Sequence, residues 1–266
     1  MENSIIYKRL GDILIALDEV ELLYDLKLVG DSSLQFFHQD LGYITNKLTF
    51  DLHTTKSGSD LNELRKKITL ILPKLLSQKN FKINYKKTKL TQTSDHYIII
   101  DNENKNTYEI LIDYLNRYHI LPPEYYARID KVFIDLHVNS LATLENYGRY
   151  FAEITTNTKT LKYLFDNNKI LPQQINFIKK IIVFYQTIFK IDFKIDNLKK
   201  ILEPKYHQFV NELYNFDDKS KTFIDNFKNG SYNPELILPK TLVNNVINHS
   251  RGKIKWSHIV LGWQLF

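Results

Sequence analysis

A chain of 266 residues has room for one large domain or two modest ones and is too long for a minimal module. Its 43% apolar, 25% charged and 13% aromatic residues exclude a disordered or collagen-like chain. With no cysteine it can build no disulfide framework, thiolate nucleophile or cysteine-ligated metal centre. The start, Met1 to Asp12, lacks the basic, apolar and small-residue zones of a signal peptide. The longest apolar stretch, Ile181 to Phe189, is about half of the ~20 residues a membrane span needs. The expectation is a cytoplasmic protein with no membrane partner.

In chain order, Ile6, Leu10, Ile13, Leu14 and Leu17 recur at helical spacing and predict an amphipathic helix over Asn3 to Leu23. Leu26 to Val29 reads as a short strand stopping at Gly30. Ser32 or Ser33 then caps a helix reaching about Gln39, closed by Gly42. Lys47 to His53 alternates as a half-buried strand does. From Asp60 to about Gln78, Leu61, Leu64, Ile68, Ile71, Leu72 and Leu75 predict a helix, with Pro73 kinking or breaking it. Strands are expected at Phe81 to Lys87, His96 to Ile100 and Tyr108 to Leu115, the last two joined by a turn at Asn102 to Asn106, and another at Lys131 to Val138. Beyond about Ser140 only helical periodicity remains, as in Ile175, Ile178, Ile182, Tyr185 and Phe189 after Pro172; Glu203-Pro204, Asn233-Pro234 and Pro239 punctuate further helices. The expected organisation is an α+β domain with a mixed sheet over residues 1–139 and an all-α helical bundle over 140–266.

Two segments carry most of the chemistry. In Leu28-Val29-Gly30-Asp31-Ser32-Ser33-Leu34 a strand ends in glycine and opens a helix, an arrangement that presents backbone N–H groups, the positive helix end and two hydroxyls to an anion. The next strand, Leu48-Thr49-Phe50-Asp51-Leu52, places Asp51 and Thr49 on one face, where a second carboxylate at position 49 would complete a metal-binding D-x-D. Each segment also has a plain reading: a strand-to-helix turn with an ordinary N-cap, and a solvated carboxylate at a strand end.

Together the segments resemble the nucleotidyltransferase superfamily of the DNA polymerase β type, and within it the AbiEii-like toxins of type IV toxin–antitoxin pairs, in which a strand leads to G-G-T/S-A-L and a later strand carries D-x-D. Gly30, Ser32, Ser33 and Leu34 match the first element, with Asp31 replacing the second glycine. Asp51 matches the second aspartate of D-x-D, and Thr49 stands where the first should be. Asp113, sharing a strand face with Glu109 and Leu111, is the best match for the family's third carboxylate. Leu144 to Arg149 echoes the motif that opens the family's helical half, whereas Thr158 to Tyr163 does not match its R-D-x-x-D.

The resemblance covers roughly residues 20 to 165 and implies transfer of a nucleotide from an NTP to a hydroxyl of RNA or protein, by a toxin-like component with a cognate antitoxin as partner. In that reading Asp51 and Asp113 are catalytic and bind Mg²⁺ or Mn²⁺, while Gly30, Asp31, Ser32, Ser33 and Thr49 receive the NTP. His38, His53, His96, His119 and His137 lack metal-ligand spacing, His53 alone sharing the face of Asp51.

The charge is segregated. The chain carries +6 overall, yet Leu64 to Ser94 holds nine basic residues and no acidic one, leaving −3 for the remainder. Arg65, Lys66 and Lys67 read as a helix's solvated face. Lys74, Lys79, Lys82, Lys86, Lys87 and Lys89 form a candidate nucleic-acid surface, with Phe81 and Tyr85 either stacking on bases or buried in the core. The alternative function is therefore a decayed nucleotidyltransferase fold that binds nucleic acid through residues 64–94. A third is a protein-interaction module acting through the bundle, whose C-terminal Trp256, Trp263, Leu265 and Phe266 form either a packed tail or a docking patch.

Overall fold

Helical spacing of Leu10, Ile13, Leu14 and Leu17 buries all four on one face of α1 (Glu2–Asp18) in the computed structural model. The structure describes residues 2–37, 44–54, 59–91, 93–114, 119–130, 133–153, 158–167, 169–189, 191 and 195–243. Trp256, Trp263, Leu265, Phe266 and His38 lie outside them. Two compact units result, one of residues 1–118 and 123–141, the other of residues 119–122 and 142–266. Their boundary after Leu141 lies two residues beyond the expected one, and the short excursion at 119–122 was not anticipated.

The first unit is built on a mixed eight-stranded sheet. Its strands are β1 (Leu26–Val29), β2 (Lys47–Leu52), β3 (Phe81–Ile83), β4 (Lys89–Leu90), β5 (Ser94–Asp101), β6 (Thr107–Asp113), β7 (Glu124–Asp130) and β8 (Phe133–Ser140). Their order is β3-β5-β6-β2-β1-β8-β7, with β4 also paired to β5. The β1/β2, β3/β5, β4/β5, β5/β6 and β7/β8 pairs are antiparallel, and β2/β6 and β1/β8 are parallel. One face carries the core: Leu48, Phe50 and Leu52 of β2 and Tyr108, Ile110 and Ile112 of β6 cluster with α1, α2 (Gly30–Phe37) and α3 (Ser59–Gln78). Each such side chain contributes roughly 1.5–3 kcal/mol when fully buried.

Two ion pairs, one buried and one half-buried, join the helices to β5. Arg9 of α1 donates to both oxygens of Asp101 and to the Lys79 carbonyl, and its guanidinium lies 4.1 Å from the Phe81 ring centre. Arg65 of α3 pairs with Asp95, which also accepts from the Tyr114 hydroxyl at 2.8 Å. Burial beside Asp95 pushes the Tyr97 hydroxyl up to about 12.

Three local expectations change. Helix α3 runs unbroken through Pro73, because Leu64, Ile68, Leu72, Leu75 and Leu76 bury on both sides of it and offset the roughly 3 kcal/mol an interior proline costs. The strand expected over Phe81 to Lys87 ends at Ile83, where the Asn84 carbonyl accepts from the N–H groups of Lys87 and Thr88 and turns the chain outward. The strand expected at Lys131 to Val138 is β8, shifted to Phe133–Ser140, and it pairs with β7, for which no strand was expected.

In the second unit every regular element among the described residues is helical. They are α4 (Thr143–Glu153), α5 (Thr158–Asp166), α6 (Ile175–Ile188), α7 (Ile195–Ile201), α8 (His207–Leu213) and α9 (Asp218–Lys228), with 3-10 turns at Pro172, Pro204 and Pro234. Gly148 lets α4 and α6 approach closely: a Cβ there would lie 2.3 Å from Ile181 Cγ2.

Candidate functional site

The turn from β1 to α2 is made by Gly30 at φ 66°, a left-handed conformation that side chains disfavour. It sends α2 back over the core face, where Phe36 meets Tyr7 with ring centres 4.8 Å apart. Both serines after the turn are buried and engaged within the protein. Ser32 Oγ donates to the Val29 carbonyl at 3.0 Å and accepts from the Thr49 N–H at 3.1 Å, tying β1 to β2. Ser33 Oγ shares a 2.7 Å hydrogen bond with Ser140 Oγ, tying α2 to β8. The Ser32 hydroxyl gives its one proton to the Val29 carbonyl and can donate to a phosphate only if that bond breaks. Asp31 is half-buried at the head of α2.

On the sheet face opposite the core, strand register gathers the ionisable residues into a row. Asp51 of β2 is the cross-strand partner of Lys27 on β1 and of Asp113 on β6. Alternation puts all three side chains on one face, with Cβ atoms of direct neighbours about 4.5–5.5 Å apart. Lys27 is fully buried (0% exposed) and Asp51 nearly so (1%), whereas Asp113 and Thr49 are half-buried. Further along this face His96 Nε2 lies 2.8 Å from Glu109 Oε2.

A two-metal centre requires enough carboxylate charge to hold two divalent ions a few ångströms apart. This row supplies two carboxylates and an ammonium group. Lys27 already brings positive charge to Asp51, and a divalent ion added beside it meets Coulomb repulsion in a poorly screened place. Thr49 offers a neutral oxygen only. Among the described residues, no three histidine, aspartate or glutamate side chains gather closely enough to hold a metal ion. These residues do not fit a two-metal centre. Lys27 carries no local signal in the sequence; the β1/β2 register alone sets it on the face that Thr49 and Asp51 share.

The basic run separates into used and unused charges. Arg65 is taken by Asp95, and Lys79 lies 3.1 Å from Glu19 at the end of α3. Lys66, Lys67, Lys74, Lys82, Lys86, Lys87 and Lys89 are exposed and make no ion pair with any described residue. Lys66, Lys67 and Lys74 lie on α3. The other four lie on the outer β3–β4 edge of the sheet, around the turn after Ile83. The two aromatic rings of this stretch part company: Phe81 is 2% exposed and packs edge-on against Tyr108, whereas Tyr85 is 70% exposed. No described helix is long and apolar enough to cross a membrane. No family model matches this chain, and no curated protein matches it in sequence.

Proposed function

We propose that this chain is a nucleotidyltransferase-like α+β protein that has exchanged metal-dependent chemistry for nucleic-acid binding through its β3–β4 edge. One observation carries the reading: four exposed lysines with no ionic partner among the described residues, Lys82, Lys86, Lys87 and Lys89, bracket a protruding tyrosine on one sheet edge. Lysine on an edge strand also guards against strand-to-strand aggregation. A guarding edge gains nothing from Tyr85 at 70% exposure and Leu90 at 51%, so defence alone does not account for the patch. Polyanions bind such a surface by counterion release, with affinity falling steeply as salt rises.

The test is fluorescence anisotropy with labelled RNA and DNA oligonucleotides across a salt series. Four phosphate contacts predict a slope of log K against log salt of about −3 for single strands. Charge reversal at Lys86 and Lys87 is expected to weaken binding at least tenfold, and Asp51→Ala variants that remain folded to leave it unchanged.

A second reading, nucleotide transfer from an NTP to an RNA or protein hydroxyl in the manner of AbiEii-like toxins, draws on the register that sets Asp51 beside Asp113 and on the left-handed Gly30 heading α2. Incorporation of label from α-³²P NTPs with Mg²⁺ or Mn²⁺, lost in Asp51→Ala, would favour it over the first.

A further inference from the structure

We infer that the nucleic acid taken by the β3–β4 edge is single-stranded, with one base stacked on the ring of Tyr85. The inference rests on the nucleic-acid reading above and adds the class of strand. Tyr85 stands in a turn whose shape is fixed from inside the protein. The Asn84 carbonyl accepts from the Lys87 N–H at 3.1 Å and from the N–H and hydroxyl of Thr88, each at 3.0 Å. The Thr88 hydroxyl in turn accepts from the Ile98 N–H at 3.2 Å, anchoring the turn to β5. The Asn84 N–H closes the other side by donating to the Ile98 carbonyl at 2.7 Å. The backbone that carries the ring is therefore ordered before binding, and only the side chain's own rotation remains to be restricted.

The order of charges along the edge suits an extended strand. Lys82 precedes the tyrosine, and Lys86, Lys87 and Lys89 follow it, so phosphates on both sides of a stacked base can each meet an ammonium group. A duplex keeps its bases stacked on one another and presents backbone to such an edge, leaving the ring nothing to stack on. Aromatic stacking is worth enough per base to separate the two cases, and it tolerates any base because each has a π face.

The experiment uses the full chain and three labelled probes: a 20-nucleotide single strand, the same strand in a duplex, and polyglutamate of comparable charge. Expected is single-strand binding at least tenfold tighter than either competitor. Tyr85→Ala is expected to weaken it by about five- to 100-fold with its salt slope unchanged, while Tyr85→Phe stays within about twofold of the native chain. Exposure of the side chain makes both variants fold normally, which an unchanged thermal midpoint verifies. Equal affinity for duplex or polyglutamate, or single-strand binding indifferent to Tyr85→Ala but weakened by Lys86→Glu/Lys87→Glu, would overturn the single-strand inference and leave electrostatic binding standing. No salt-dependent binding to either nucleic acid would remove the underlying reading as well.

Discussion

Lys27 and Asp51 face each other across β1 and β2, both nearly sealed from water, on the row that ends at Asp113. A buried charge needs a compensating one nearby, and the register makes each of these residues the other's cross-strand neighbour, so removing one is expected to leave the other stranded at a cost of about 3–5 kcal/mol. Urea titration of Lys27→Met is expected to show a loss of that size, and Lys27→Met/Asp51→Leu to recover most of it. The single variant also tests the metal argument. With the ammonium gone, Asp51 and Asp113 are adjacent carboxylates, so Mg²⁺ is expected to raise the thermal midpoint of Lys27→Met and leave that of the native chain unchanged. A rise in the native chain would show that Lys27 does not displace the ion. Lysine two residues before a strand's end ordinarily signals a solvated face; only the pairing register shows that it meets an aspartate, and pairing is a long-range property that local periodicity does not encode.

Elements whose apolar residues recur at a helical or strand period, or fill a short run closed by a turn residue, were readable from the sequence, since burial selects residue types that report it. β1, β2, α1, α3 and α6 fall close to their expected places for that reason. Pro73, the end of β3 and the whole of β7 were not, because each is decided by tertiary partners: core burial on both sides of the proline, a carbonyl-centred turn at Asn84, and antiparallel pairing to β8. Helix α9 shows a local signal that does reach the structure. Asp217 caps it, accepting from the Ser220 N–H at 2.8 Å, and also pairs with Lys180 of α6. The Lys180 ammonium, joined by the hydroxyl and N–H of Ser220, holds the carboxyl below its usual value of 3.8. A carboxylate that binds protons less readily in the folded state stabilises fully above its unfolded pKa and loses that contribution as pH falls through the folded one. Asp217→Ala is expected to cost about 1 kcal/mol at neutral pH, the size of a cap at an exposed end, with the difference from the native chain shrinking below about pH 4. Urea midpoints of both proteins at pH 7 and pH 3 measure it; a difference that persists undiminished at pH 3 would assign the cost to packing.

At the scale of the whole molecule, the chain visits the helical unit twice. Residues 119–122 belong with the helices although β7 and β8 return to the sheet after them, so one cut after Leu141 does not separate the two units. Glu145 on α4 explains why the excursion is held. Its buried carboxylate accepts from the Ile120 N–H at 2.7 Å, from the Leu121 N–H at 2.8 Å and from the Tyr185 hydroxyl of α6 at 2.6 Å. Glu145→Ala strands two buried donors, the Ile120 N–H and the Tyr185 hydroxyl, each costing about 1–3 kcal/mol, and frees the half-buried Leu121 N–H, and so removes several kcal/mol from the helical unit. Each unit buries apolar side chains of its own, Leu48 and Ile110 in the first and Ile178 and Phe223 in the second, and the sheet's strands hold their hydrogen bonds independently of Glu145. Hydrogen exchange on Glu145→Ala is therefore expected to lose protection first at Ile120, Leu121, α4 and α6, while amides of β1, β2 and β6 exchange as in the native chain. Loss of protection spreading equally through the sheet would mean that the two cores open as one cooperative unit, and that the carboxylate supports both.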